Sequence, residues 1–94
     1  MQGERLGLEL VRPNLIERLE LDTQTGIDEI KVPELFVGRS LRDLNLRKNY
    51  FVNVLAAGPV DSLTVNPPAK YILEKDHVLV VMGLMEHLQK LPEV

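Results

Sequence analysis

The sequence predicts an α+β domain, a small and mostly antiparallel sheet with helices packed on it. Three features carry that expectation. Short stretches of alternating apolar and polar residues recur between Gly, Pro and Asp turn signals, the pattern of hairpin-linked strands. The apolar run Val78-Leu79-Val80-Val81-Met82 suits a central strand covered on both faces. Leu84, Leu88 and Leu91 then repeat at helical spacing.

The elements follow in chain order. Leu6, Leu10 and Val11 fall on one side of a helix whose other side carries Glu9 and Arg12. Pro13 interrupts it and suits the first turn of a second short helix over residues 14–18. Leu19 and Leu21 flank Glu20 in a brief strand-like alternation. Residues 22–26 read as a turn, with Gly26 able to take a positive φ. Ile30 and Val32 then point one way and Glu29 and Lys31 the other, which makes a half-buried strand ended by Pro33. These two strands pair as a hairpin.

Ser40 followed three residues later by Asp43 is a capping-box-like pair that opens a helix. Leu41 and Leu44 share its apolar face, and Leu46 extends the contact. Residues 52–57 form a strand ended by Gly58-Pro59, and residues 63–65 another stopped by Pro67-Pro68. The loop between them is of hairpin length. Residues 77–82 make the central strand, terminated by Gly83, and residues 85–91 the closing helix.

Composition narrows the function. The 94 residues suffice for one domain with a modest core. There is no cysteine, which excludes disulfides, thiolate metal sites and thiol nucleophiles. Eleven Lys plus Arg against 14 Asp plus Glu give a net charge of −3, which argues against a general nucleic-acid or anionic-membrane surface. The longest apolar run is too short to cross a bilayer, and the opening residues lack the apolar stretch of a secretory signal. A cytoplasmic domain is expected, one that could be tethered to a membrane partner.

Candidates for chemistry are few. His77 and His87 stand ten residues apart on different elements, without metal-ligand spacing. Asp76-His77 reads as the solvated start of a strand. Ser40 lacks the glycine pattern of a nucleophile elbow, and its capping role accounts for it. Glu17 and Glu20 read as surface carboxylates, and Asp22, Asp28 and Glu29 cluster no more tightly than an acidic chain would by chance. The glycines are scattered singly, so no phosphate loop is formed. The chain is expected to have no catalytic residues, no metal and no cofactor.

What remains is a binding constellation. Arg39, Arg42, Arg47 and Lys48 fall in a ten-residue window whose sole acid is Asp43. Two readings are open: a solvated helix face, or an anion site, since Arg recognises phosphate bidentately. Asn53, set in an apolar strand, needs hydrogen-bond partners if buried.

Several segments resemble a known family in order and spacing. They are Ile30-Lys31-Val32-Pro33, Val37-Gly38-Arg39-Ser40-Leu41, Leu44-Asn45-Leu46-Arg47 with Tyr50, Val65-Asn66-Pro67, and the stretch from Asp76 to Gly83. Together they are similar to the C-terminal regulatory lobe (RCK_C, or TrkA-C) of Trk/Ktr-type potassium-uptake regulators, over roughly residues 19–91. The resemblance implies a homodimeric α+β lobe that passes ligand occupancy to a membrane potassium-transporter subunit through the full-length regulator. It places the domain at residues 19–94 and makes residues 1–18 the remnant of a preceding nucleotide-binding lobe, the chain being an excised C-terminal lobe.

In several members of this family the lobe's dimer binds cyclic di-AMP between its subunits. The resemblance then implies Arg47 on the phosphate, Asn53 beside it, and Leu41, Val52, Pro67, Pro68 and Ala69 as apolar walls for the bases. A two-fold dinucleotide suits a two-fold interface. The alternative is a ligand-independent dimerisation and assembly module of a cation transporter or antiporter. Four departures from the family pattern bear on this. Phe51 replaces a glycine, so that Asn49 is expected to supply the left-handed exit from the helix. Ala57-Gly58-Pro59 replaces a basic position after the strand, Ser62 corresponds roughly to a histidine that some members bring to the base edge, and Lys75 takes the place of a turn glycine.

Overall fold

The computed structural model describes residues 13–93. The expected helix over residues 6–12 and the proposed preceding-lobe segment up to residue 12 lie outside them. Among the described residues five strands form one sheet: β1 (Leu15–Glu20), β2 (Thr25–Lys31), β3 (Asn53–Gly58), β4 (Thr64–Val65) and β5 (Val78–Leu84). Their order across the sheet is β1-β2-β5-β3-β4, and every neighbouring pair is antiparallel. The helices are single turns: α1 (Leu41–Leu44), α2 (Leu46–Asn49) and α3 (Met85–Leu88), with a 3₁₀ turn at Glu34–Phe36. This is the α+β architecture that the patterning predicts.

Of the helix expected over residues 14–18, residues 15–18 are instead part of β1. A bulge explains the misreading. Leu15 pairs with Ile30 and Glu17 with Glu29, so Ile16 is an extra residue that breaks the period of two. Leu15 and Leu19 then stand four apart, which imitates a helix. The strand is held by an ion pair across the hairpin. Arg18 Nε donates to Asp28 Oδ1 at 2.7 Å and its terminal nitrogen to Oδ2 at 2.9 Å, and the Asp28 side chain is 1% exposed. That bidentate bond holds the Arg18 guanidinium above its ordinary range.

The turn of the hairpin is set by Asp22, whose carboxylate accepts from the backbone N–H groups of Gln24 (2.8 Å) and Thr25 (2.7 Å). These two bonds depress its pKa below the ordinary carboxylate value. Gly26 lies within β2 rather than in the turn, and it does not take the positive φ expected of it. Its role is close packing. A Cβ there would stand 3.3 Å from the Met85 methyl and 3.2 Å from the Leu19 carbonyl oxygen.

One sheet face is dry. Ile30, Leu79, Val81 and Ala57 project from it onto Phe36, Leu44, Leu46, Val52, Leu73, Leu88 and Leu91. Each fully buried leucine of this set contributes about 1.5–3 kcal/mol of apolar burial. β5 is central, as its composition predicts, but its other face is only half covered at Val80 and Met82. Gly83 lies inside this strand rather than ending it. The closing helix stops after one turn at Leu88. Leu91 still reaches the core, whereas Leu84 remains exposed at the strand end.

Candidate functional site

Three chain segments meet around α1 and α2. Ser40 caps α1, its Oγ accepting from the Asp43 N–H at 3.1 Å, and only this half of the capping box forms. The Leu41 N–H then donates to the Tyr71 carbonyl at 3.0 Å and the Arg42 N–H to the Ala69 carbonyl at 2.7 Å. These bonds lay the loop carrying Pro67 and Ala69 along the start of α1.

Asn45 breaks the helix. It adopts the left-handed conformation (φ 43°, ψ 59°), which an Asn tolerates better than most side chains. Leu44 and Leu46 on either side of it are buried, so the kink keeps both leucines in the core. The Asn49 side chain donates to the Leu44 carbonyl at 2.8 Å. The left-handed exit after Tyr50 is not supplied by Asn49 as expected. Phe51 itself takes φ 60°, with its exposed ring stacked on His87 at a centroid distance of 5.1 Å. The chain then turns through buried Val52 into β3.

These segments enclose a cleft of about 360 Å³. Leu41, Arg47, Val52, Asn53, Pro67 and Ala69 line it, as do Arg42, Asn45, Leu46 and Val54. At its rim the Arg47 Nε donates to Asn53 Oδ1 across 3.2 Å. Asn53 is exposed, so the buried amide considered from the sequence does not arise. The Arg47 side chain has no other partner among the described residues, which leaves its terminal N–H groups available to an anion.

Six of the seven residues named from the sequence therefore meet in one cleft. Pro68 does not line it. Its carbonyl accepts from the Tyr71 N–H at 3.0 Å and so shapes the loop that carries Ala69. Of the cation cluster, Arg42 and Arg47 reach the cleft. Arg39 lines a separate groove with Asp43, Phe36 and Tyr50, and Lys48 lines neither. Asn45, Leu46 and Val54 were not singled out as site residues. A polar residue between two leucines at 44 and 46 is the signal that marks the kink.

Other departures also resolve. Ser62 sits in the β3–β4 loop, its N–H bonded to the Pro59 carbonyl at 2.9 Å, and it is not among the lining residues. Next to Lys75, Asp76 supplies the left-handed turn with φ 67°. Among the described residues no group of three or more His, Asp or Glu side chains could hold a metal ion. No helix among them is long and apolar enough to cross a membrane.

The chain belongs to the TrkA-C domain family, whose profile matches residues 28–93. It is 25% identical over 88 residues to Ktr system potassium uptake protein C of Bacillus subtilis, covering 94% of this chain and 40% of that protein. It is 32% identical over 90 residues to the K(+)/H(+) antiporter subunit KhtT of the same organism, covering 92% and 54%. The chain thus spans about half or less of these relatives. Among solved structures it is similar to the RCK C domain of potassium transport protein KtrA in complex with cyclic diadenosine monophosphate. That likeness has a TM-score of 0.64 and 28% identity, over 68% of this chain and 75% of that one. The GsuK RCK domain shares the fold, with a TM-score of 0.68 and 21% identity over 80% of this chain and 16% of that one.

Proposed function

We propose that this chain is a regulatory domain of a potassium transport system and that its cleft binds cyclic di-AMP, one nucleotide being shared by two copies. The observation that carries the reading is the Arg47–Asn53 pair at the rim of an apolar cleft. The bond to Asn53 holds the Arg47 side chain in place, so less side-chain freedom is lost when a phosphate binds. Leu41, Val52, Pro67 and Ala69 offer apolar surface to an adenine, and Asn53 retains its amide donor.

The KtrA domain bound to cyclic diadenosine monophosphate supports the ligand, and the potassium-system relatives support the setting. A binding role rather than a catalytic one fits the cleft, whose polar lining among the described residues is two Arg and two Asn side chains with no general base. We place the domain in the cytoplasm, working as a homodimer beside a membrane transporter subunit, with no cofactor of its own.

A second reading, assembly without a ligand, is favoured by one feature. Val60 and Val65 are 65% and 71% exposed beside β4, an apolar edge that a partner chain could cover. The two are separated by calorimetric titration with cyclic di-AMP, cyclic di-GMP and ATP. Saturable heat with cyclic di-AMP alone supports the first reading, and a stable dimer indifferent to all three supports the second.

A further inference from the structure

Arg42 is the charged residue of the cleft for which the proposed function has no role. Its backbone N–H is tied to the Ala69 carbonyl at 2.7 Å, which fixes its Cα in the cleft wall. Its guanidinium makes no hydrogen bond or ion pair among the described residues. The neighbouring acid, Asp43, lines the separate groove with Arg39, and among the described residues no carboxylate lines the cleft. A chain with a net charge of −3 therefore brings two arginines and, among the described residues, no acid to the lining of this one cleft.

The charges do not match a cyclic dinucleotide alone. On the reading above, on which this inference rests, a ring shared by two copies brings one phosphodiester, and one negative charge, to each. Arg47 alone matches that single charge, which leaves Arg42, the second arginine of the lining, without a counterpart. A linear diadenylate with a 5′-phosphate keeps both adenines and one phosphodiester, and adds a phosphomonoester of about −1.5 to −2 at neutral pH. Such a group takes several charge-assisted hydrogen bonds, which a guanidinium fork supplies.

We infer that Arg42 is a second phosphate-binding residue, and that through it the cleft accepts the linear 5′-phosphorylated diadenylate as well as the ring. The linear ligand is more flexible and loses more freedom on binding, which offsets part of the added attraction.

The test is a titration of wild-type, Arg42→Gln and Arg47→Ala proteins with both ligands at two salt concentrations, with thermal unfolding of each variant as the folding control. Wild type is expected to bind the linear form within about tenfold of the ring. Arg42→Gln is expected to weaken the linear form about tenfold and the ring by less than about threefold, with a smaller salt effect remaining. Equal loss for both ligands, no loss for either, or a wild type that binds only the ring overturns the inference and leaves the cyclic di-AMP reading standing. A wild type that binds neither removes both.

Discussion

The carbonyl oxygen of Phe51 lies 3.2 Å from the point where a Cβ on Gly83 would stand, and the Val52 Cγ1 lies 3.1 Å from it. The central strand thus carries a glycine where the chain leaving α2 crosses it on the way to the cleft. Gly83→Ala should force that crossing apart and destabilise the fold by about 1–3 kcal/mol. Urea denaturation measures it, and a stability equal to wild type would contradict the account.

Phe51 completes the same crossing in a conformation that costs a non-glycine residue about 1–2 kcal/mol. Phe51→Ala and Phe51→Gly both delete the ring stacked on His87, so their difference isolates the backbone. The glycine variant should be the more stable by about 1 kcal/mol, although glycine also frees the unfolded chain. Paired denaturation curves decide it, and an alanine variant at least as stable as the glycine one argues against backbone strain at Phe51.

Arg18→Ala leaves the Asp28 carboxylate buried without its partner. Removing one member of a buried pair costs about 3 kcal/mol, and Arg18, whose side chain is 25% exposed, sets this near the lower end of the usual range. Replacing both residues by leucine should restore most of the loss, because the orphaned charge goes with its partner. A single variant as stable as wild type would show that the pair does not hold β1.

Asp22 gives the hairpin an acid sensitivity. Its folded-state pKa is depressed below 3.8, chiefly by the Gln24 N–H and then by the Thr25 N–H. The stabilisation is therefore fully present above the ordinary value and is lost as pH falls through the depressed one. Asp22→Ala should lower the melting temperature slightly near neutrality, and the gap to wild type should close in strong acid. A gap that widens on acidification contradicts the assignment.

Local chemistry was legible in the sequence, whereas close approach between distant segments was not. Ser40 announces the start of α1, the apolar run announces β5, and the ordered motifs place Leu41, Arg47, Val52, Asn53, Pro67 and Ala69 in what proves to be one cleft. The bulge at Ile16 hid β1, because an extra residue destroys the alternation by which strands are recognised. Gly26 and Gly83 read as turn and stop signals, yet both serve to let another segment come near. Arg42 looked equivalent to Arg39, and only the fold of α1 against the loop at Ala69 puts the two on different grooves.

Asn53→Asp separates binding from structure. The carboxylate can still accept from Arg47 Nε, so stability should stay within about 0.5 kcal/mol of wild type. It also introduces a negative charge into a cleft that has no carboxylate among its described lining residues, and cyclic di-AMP affinity should fall about tenfold or more. Fluorescence anisotropy with a labelled nucleotide, beside a melting curve, reads both. Undiminished affinity contradicts a phosphate at this rim.

The most direct measurement is the stoichiometry of cyclic di-AMP on wild-type and Arg47→Ala protein, read by calorimetry alongside the sedimentation mass. The account predicts one nucleotide for every two chains, with affinity reduced about tenfold or more once the guanidinium is gone. A chain that stays monomeric with saturating nucleotide, or an Arg47→Ala variant that binds as tightly as wild type, contradicts it.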